Sequence, residues 1–206
     1  MELALGRLYI SLMVLDDVID NLRQYVSLSQ EEIKYFFESV TVCRFRKNKV
    51  LVERGQLNSP FIFIRKGCLM TFFTDEKDFK HVIQFGMDKW WTGDLNSFMN
   101  GEPSIYTIKA MADTEVLMLE KKSFEQLCQR HHAFEGYFRV LFQNSLVSHQ
   151  KRIIRNISFT AEEKYLTFAK NHPKLELLIP QKYIASYLGI TPEFLSMLRR
   201  KLAKRK

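Results

Sequence analysis

Cysteine is scarce in this chain, and its scarcity limits the class of protein. The 206 residues include three cysteines, Cys43, Cys68 and Cys128. Disulfide-stabilised secreted domains carry more cysteines at closer spacings, and zinc or iron–sulfur sites use CxxC pairs, which are missing here. We therefore expect reduced thiols, as in a cytoplasmic protein. We expect no bound metal and assign no cofactor.

Long hydrophobic runs are missing as well. No uninterrupted apolar stretch approaches the roughly 20 residues that span a bilayer. Residues 1–15 are apolar, but they include Glu2 and Arg7 and lack the pattern of a signal peptide. We expect an amphipathic helix there, in a globular protein without a membrane partner.

Acidic residues are few in the last quarter of the chain. From His149 onward, thirteen Lys and Arg stand against four Glu, so this segment carries +9 of a formal net charge of +8 and the remainder carries −1. Such asymmetry indicates an anionic partner, with nucleic acid as the first candidate and an anionic membrane surface as the second. A solvated basic segment without a partner is the alternative that charge leaves open.

The middle of the chain has the pattern of an antiparallel β domain. Short runs of β-branched and aromatic residues alternate with Gly, Pro, Asn and Asp turns at about 8–12-residue spacing. Strands are predicted at 40–45, 50–53, 61–65, 69–73, 80–85, 105–110 and 115–119. This pattern predicts a sandwich, jelly roll or barrel over residues 40–120.

Beyond residue 121 the pattern becomes helical, with a helix at 123–128 and a long one from about His132 to Asn156. Its length, about 36 Å at 1.5 Å per residue, exceeds what a small β domain needs to cover its core. The pattern favours a dimerisation helix packed against a second subunit, with coverage of the β domain as the alternative. The apolar stripe of this helix is Phe134, Phe138, Leu141, Phe142, Leu146, Ile153 and Ile154.

The C-terminal region opens with a capping-box pattern at Thr160 and Glu163, and this helix is predicted to stop before Pro173. A brief strand is predicted over 175–179. Pro180 then opens the final module.

The final module, 180–202, has the pattern of a helix-turn-helix. A short helix with an apolar inner face ends at Gly189, where a left-handed backbone costs little. Thr191 caps a second helix whose first residue is Pro192. An exposed cationic helix in this setting is typical of proteins that enter the major groove, and a purely structural hairpin is the alternative. The buried stripe of the second helix is predicted to be Leu195, Leu198 and Leu202.

The second helix supplies the candidate DNA contacts. Residues near its N-terminus are expected at base edges, and the later cations, including Lys204, Arg205 and Lys206, at phosphates. Glu193 either accepts a hydrogen bond from cytosine or stabilises the helix dipole, and the sequence leaves both open. The candidates are Thr191, Glu193, Ser196, Met197, Arg199, Arg200 and Lys201.

This order of parts resembles the Crp/Fnr family of bacterial regulators over roughly residues 21–206. The resemblance rests on 50–55 with 61–67, on the step at 93–95 and on 184–202. It implies an α+β chain with an N-terminal antiparallel β-roll or jelly-roll sensor, a long dimerisation helix and a C-terminal helix-turn-helix domain. A truncated wing is expected because the sequence ends at Lys206. The implied domains are 1–130, 131–157 and 158–206.

The resemblance also implies function. Such a regulator is a cytoplasmic homodimer that reads a near-palindromic operator in double-stranded DNA, with RNA polymerase as a further candidate partner. An unknown small-molecule effector in the β-roll shifts the population of DNA-competent dimers. The effector-pocket candidates are Gly93, Asp94, Leu95, Ser104 and Ile105.

The chain departs from the family at two places. Cyclic nucleotide-binding members follow Gly-Glu with an Arg before Ser or Thr, whereas Gly93-Asp94 is followed here by Ser104-Ile105. Without the phosphate-clamping arginine, cyclic AMP is not expected to bind in the usual manner. In the DNA helix, Met197 cannot donate to guanine, so the operator should differ from the best-known family sequence. An N-terminal cysteine cluster for iron–sulfur oxygen sensing is missing too.

Two rival functions fit parts of the pattern. A jelly roll can be a metal-dependent enzyme, but the β region offers only His81 as a histidine ligand, so we assign no catalytic residue and expect no enzyme. A protein-interaction module with a degenerate sensor would use Trp90 and Trp91 as a contact patch and bind no specific DNA. These tryptophans, with Phe72 and Phe85, also fit an aromatic effector pocket or plain core packing.

Overall fold

The computed structural model describes residues 17–204, in which a β-roll is followed by a series of helices. Residues 17–23 are helical and form α1. The helix expected over 1–15 lies outside the described residues, as do Arg205 and Lys206. The other helices are α2 (Gln30–Glu38), α3 (Leu95–Asn100), α4 (Lys121–Arg130), α5 (His132–Ser158), α6 (Ala161–Asn171), α7 (Pro173–Leu178), α8 (Gln181–Leu188) and α9 (Pro192–Ala203).

Two four-stranded antiparallel sheets form the β-roll. The first has the strand order β1-β8-β3-β6 and the second β2-β7-β4-β5. The α+β prediction is confirmed, and each predicted strand between residues 40 and 119 is found with its ends within two residues. Strand β6 and helix α3 were not predicted. The strands are β1 (Val40–Phe45), β2 (Val50–Val52), β3 (Phe61–Lys66), β4 (Leu69–Thr74), β5 (Lys80–Gly86), β6 (Trp90–Thr92), β7 (Thr107–Ala110) and β8 (Thr114–Leu119).

The second sheet is covered on both faces. Side chains alternate between the faces of a strand, so Leu69 of β4 enters the core between the sheets while Met70 points to the outer face. Both side chains are nevertheless fully buried. The core between the sheets consists of Val52, Ile62, Ile64, Leu69, Ile108, Ala110 and Val116.

Helices α1, α2 and α5 cover the outer face of the first sheet. The indole nitrogen of Trp91 donates to the Tyr137 hydroxyl at 2.7 Å, and this hydroxyl donates to Asn21 Oδ1 at 2.5 Å. These two bonds join β6, α5 and α1, so the first half of α5 belongs to the hydrophobic core on the outer face of the first sheet. Its fully buried aromatic side chains include Phe36, Phe63, Phe134, Tyr137 and Phe138.

The C-terminal helices cover the outer face of the second sheet. Strand β5 is the edge of this sheet, and α8 packs against it. The Ser186 hydroxyl accepts from the Val82 amide at 2.9 Å and donates to the Lys80 carbonyl at 2.7 Å, so one side chain satisfies two groups that an edge strand leaves open. The shared core includes Met70, Phe72, Val82, Phe85, Tyr165, Phe168, Ile184 and Leu188.

The strand predicted over 175–179 is wrong, because residues 175–178 belong to α7 and Ile179 is the C-cap of this helix. Pro173 occupies the first turn of α7, where its missing N–H costs nothing. Leu175 and Ile179 are buried, four residues apart, whereas Leu177 is 91% exposed. That is the period of a helix, which a short apolar run does not reveal. Within residues 17–204, every strand therefore lies between 40 and 119, and the C-terminal part has no strand from which to build a wing.

Candidate nucleic-acid interface

Helices α8 and α9 are joined by the predicted turn. Gly189 has φ of 69°, a left-handed conformation that favours glycine. The Thr191 hydroxyl accepts from the Phe194 amide at 3.2 Å, and Pro192 opens α9. Gly189 therefore ends α8 and Thr191 begins α9, as the sequence predicts.

Helix α9 has one buried and one exposed face. Leu195 and Leu198 are buried, and Leu202 packs partly buried against the same core. Because this stripe is anchored, the opposite side of α9 is held toward solvent. It forms an open concave surface lined by Pro192, Glu193, Ser196, Met197, Arg200, Lys201 and Lys204.

Two predicted phosphate contacts have protein partners. A guanidinium nitrogen of Arg199 lies 3.7 Å from Glu176 Oε1 of α7, and Lys201 Nζ lies 3.1 Å from Glu162 Oε2 of α6. Thr191 is engaged as the cap. Among residues 17–204, the side chains of Arg200 and Lys204 form no ion pair, so these two cations are the ones the exposed face offers to an anionic partner.

Three residues near this unit escaped the sequence analysis. Phe194 of α9 is 41% exposed and lies at the margin of the leucine stripe, a position that the helical period assigns to neither face. The other two residues are Ser186, which hydrogen-bonds to the backbone of β5, and Arg152 of α5, which donates to the carbonyls of Val82 and Ile83. Because both residues contact a strand that is distant in sequence, no local pattern predicts their roles.

The effector-pocket candidates meet in the segment between β6 and β7. Asp94 is 2% exposed. Its Oδ1 accepts from the amides of Asn96 and Ser97 at 3.0 and 3.2 Å, and its Oδ2 accepts from the Ser104 hydroxyl and the Ile105 amide, each at 3.0 Å. The structure thus brings Asp94, Ser104 and Ile105 into one network, which we call the Asp94 loop; Leu95 lies beside it with an exposed side chain.

In the Asp94 loop, the carboxylate of Asp94 already takes the position that a bound anion would occupy. The two amides that Asp94 caps belong to the start of α3, and backbone amides at such a position are donors for anions. Here a carboxylate of the chain itself accepts from them. A phosphate would have to displace it against like-charge repulsion.

Gly93, the remaining candidate, is explained by close packing. A Cβ at this position would lie 3.0 Å from Phe61 Cδ2 and 3.3 Å from the Pro60 carbonyl oxygen. A larger residue here would require Phe61 or the Pro60 backbone to move by a few tenths of an ångström.

Several other sequence interpretations are corrected or refined. Trp91 is 8% exposed and bonded to Tyr137, so the paired-tryptophan contact patch is wrong, whereas Trp90 is 42% exposed. Burial raises the pKa of Cys68 to about 12 and that of Cys128 to about 11, which makes both thiols poor nucleophiles. The part of the chain that the structure describes contains no group of three His, Cys, Asp or Glu able to hold a metal ion, and no helix suited to cross a membrane.

Comparison with known proteins bears on the whole arrangement. Residues 42–131 match the family profile of the cyclic nucleotide-binding domain. FixK2 from Bradyrhizobium japonicum superposes with a TM-score of 0.71 at 16% identity, over 81% of this chain and 85% of that one. The c-di-GMP-responsive regulator CLP from Xanthomonas campestris gives 0.70 at 11% identity, over 86% and 93%. The chain has the fold of the Crp/Fnr regulators.

The Crp/Fnr resemblance predicted from the sequence is therefore confirmed at the level of the fold. A Crp/Fnr-family regulator from Eubacterium rectale adds a third match, with a TM-score of 0.69 at 15% identity over 86% of this chain and 85% of that one. No curated protein matches the sequence significantly. CLP is described as a global regulator of virulence gene expression, and the Eubacterium rectale protein as a transcriptional regulator.

Proposed function

We propose that the chain is a DNA-binding transcription regulator of the Crp/Fnr type that works as a cytoplasmic homodimer. The observation that carries this proposal is helix α9. Its leucine stripe and its cap hold it rigidly, while Glu193, Ser196 and Met197 occupy the first part of the exposed face and Arg200 lies one turn later. A helix with this arrangement presents polar side chains to base edges and cations to phosphates.

The dimer is supported by the second half of α5. Leu146, Ile153 and Ile157 are 60%, 58% and 81% exposed, which is unusual for aliphatic side chains on one helical stripe. With Gln150 they are spaced by four, three and four residues, the pattern of a coiled-coil seam. Pairing two copies of α5 along this seam would bury it and present two α9 helices to a two-fold symmetric operator.

The sensor is proposed to control this dimer through a small molecule. The division into a sensor at 1–130, a dimerisation helix at 131–157 and a DNA-binding domain at 158–206 follows the order of the elements. Because Asp94 takes the donors at the start of α3, we expect no cyclic AMP binding in the usual mode. Calorimetric titration tests this expectation, and micromolar binding of cyclic AMP would contradict it.

Selection of bound sequences from a random DNA pool tests the function itself. We expect one near-palindromic motif, bound by a dimer, with an affinity that falls steeply as salt rises. Arg200→Ala should weaken binding of the dimer to the selected motif about 100-fold, because two contacts are lost and each is worth about tenfold at 1.4 kcal/mol per decade. Lys170→Ala, an exposed cation on α6, is the matched control and should leave the affinity unchanged. A pool without enrichment would overturn the proposal.

A further inference from the structure

A cleft of about 630 Å³ opens between the β-roll, α5 and the C-terminal helices. Its walls come from β5 and β6, from α5, and from α6, α7 and α8, so it is distinct from the Asp94 loop. Its volume falls in the range of small-molecule sites, roughly 300–1,000 Å³.

Two arginines of α5 give the cleft its charge. Arg152 is partly buried and lies with its guanidinium 4.4 Å from the centre of the Tyr187 ring, while Arg155 follows three residues later on the same face. Burial lowers the pKa of Arg152, the neighbouring Tyr187 opposes this shift, and Arg155 adds to it. Among residues 17–204 neither arginine forms an ion pair. Arg152 also donates to the carbonyls of Val82 and Ile83, so part of its guanidinium is already hydrogen-bonded and the group is held in place on β5. Two adjacent cations without a counter-ion favour an anion beside them.

The other charged groups of the cleft are already engaged. Lys89 Nζ lies 2.9 Å from Asp17 Oδ1, and the Asp88 carboxylate accepts from the Gly67 amide at 2.7 Å. The Lys89–Asp17 pair is neutral and Asp88 keeps its negative charge, so Arg152 and Arg155 leave the charged groups of the cleft with a net positive charge.

Aromatic rings stand beside these cations. Trp90 is 42% exposed, and its ring centre lies 6.2 Å from that of His172 in an edge-to-face arrangement. Tyr187 lines the same cleft, and Asn144 and Asn171 add amide groups for hydrogen bonds. Rings with a few convergent polar groups are typical of sites for planar ligands.

A dimer partner would leave the cleft open. Successive residues of a helix are turned by about 100°, so Arg152 and Arg155 lie on roughly the opposite side of α5 from Ile153 and Ile157. The seam and the cleft therefore use different faces of the same helix.

We propose that this cleft binds a small aromatic molecule that carries a carboxylate or a phosphate, with the anion on Arg152 and Arg155 and the ring beside Trp90 and His172. The ligand would touch the β-roll, α5 and Tyr187 of α8 at once. Its occupancy would thereby stabilise the docking of α8 on β5, a regulatory consequence that rests on the proposed function.

Tryptophan fluorescence tests the site directly, because Trp90 and Trp91 are the two tryptophans of the sequence and both line the cleft. The probes are benzoate and adenosine 5′-monophosphate, titrated without DNA. We expect a saturable change with at least one probe, weakened tenfold or more in Arg155→Met. Lys151→Met removes an exposed cation of α5 that does not line the cleft and should leave the affinity unchanged.

Two results would overturn the proposal: no saturable change with either probe, or equal affinity in wild type and Arg155→Met. Circular dichroism of each variant verifies that it is folded. Because DNA is omitted, a failure of operator binding would not affect this outcome, and the two proposals are separable.

Discussion

The two halves of α5 differ in what surrounds them. In the first half Phe134, Tyr137 and Phe138 are at most 1% exposed, packed on the first sheet. In the second half Ile153 and Ile157 are 58% and 81% exposed. One apolar stripe thus begins inside the core of a single chain and ends in solvent.

This difference bears on the two roles expected for one helix. The sequence left coverage of the β domain and dimerisation as alternatives, and the burial pattern favours coverage for the first half and dimerisation for the second. Substitutions in the first half should therefore change the free energy of unfolding of the chain, whereas those in the second half should change its association.

The largest expected effect comes from breaking the exposed seam with Ile153→Asp and Ile157→Asp together. Each dimer would lose four isoleucines from its interface, and burial of one such side chain is worth roughly 1.5–3 kcal/mol. We expect the dimer dissociation constant to rise about 10,000-fold, since four such side chains are worth at least about 6 kcal/mol and 1.4 kcal/mol corresponds to about tenfold. Sedimentation velocity over a concentration series measures it.

Lys151→Asp is the control for added negative charge on the same helix, and it should leave association nearly unchanged. The double variant should remain folded, because both isoleucines are exposed in the single chain. Wild-type dissociation constants in the double variant would show that the second half of α5 is not the dimer seam.

A smaller effect is expected on the free energy of unfolding, which should respond differently to substitutions in the two halves of α5. In the dimer-deficient background, Phe138→Ala should lower the free energy of unfolding by about 3–5 kcal/mol, because it leaves a cavity in the aromatic core. Leu146→Ala in the same background should cost little, because Leu146 is 60% exposed. Urea denaturation measures both, and equal losses would remove the contrast between the halves.

The smallest effect concerns His172, which lies near Arg155 on the polar face of the second half of α5. Burial lowers the pKa of His172, and the nearby Arg155 lowers it further. His172 therefore stays neutral in the fold, and stability is highest above the ordinary histidine pKa of about 6.5 and falls as the pH drops from there toward the lowered folded value. In NMR titrations Arg155→Met should raise the pKa of His172. A wild-type pKa at or above the ordinary value would contradict this account.

Local patterns made most of the fold predictable. Three of these patterns act within a few residues of the chain: the Thr160 and Glu163 capping box, the Gly189 turn, and the turn residues that separate the strands. Each is found as predicted. Helix α3 was predictable in principle, because Asp94 caps it and Gly101 ends it with φ of 75°. Its six residues are too few to show a helical period.

Distant contacts were not predictable. Ser186 meets Lys80 and Val82 across more than 100 residues, and Arg199 meets Glu176 of a helix that the sequence suggested was a strand. Such pairings depend on how the C-terminal helices dock on the second sheet, which no local period encodes. Helix α9 and its cap were therefore predictable, the partners of individual cations came only from the structure, and the DNA contacts of α9 stay a prediction.

The dependence of operator affinity on salt tests the central claim most directly. If two copies of α9 each place Arg200 against a phosphate, Arg200→Met removes two such contacts per dimer. The slope of log affinity against log salt should then become shallower by about 2, at roughly 0.9 per phosphate contact. An unchanged slope would mean that Arg200 does not contact phosphate and that α9 is not the DNA-binding helix.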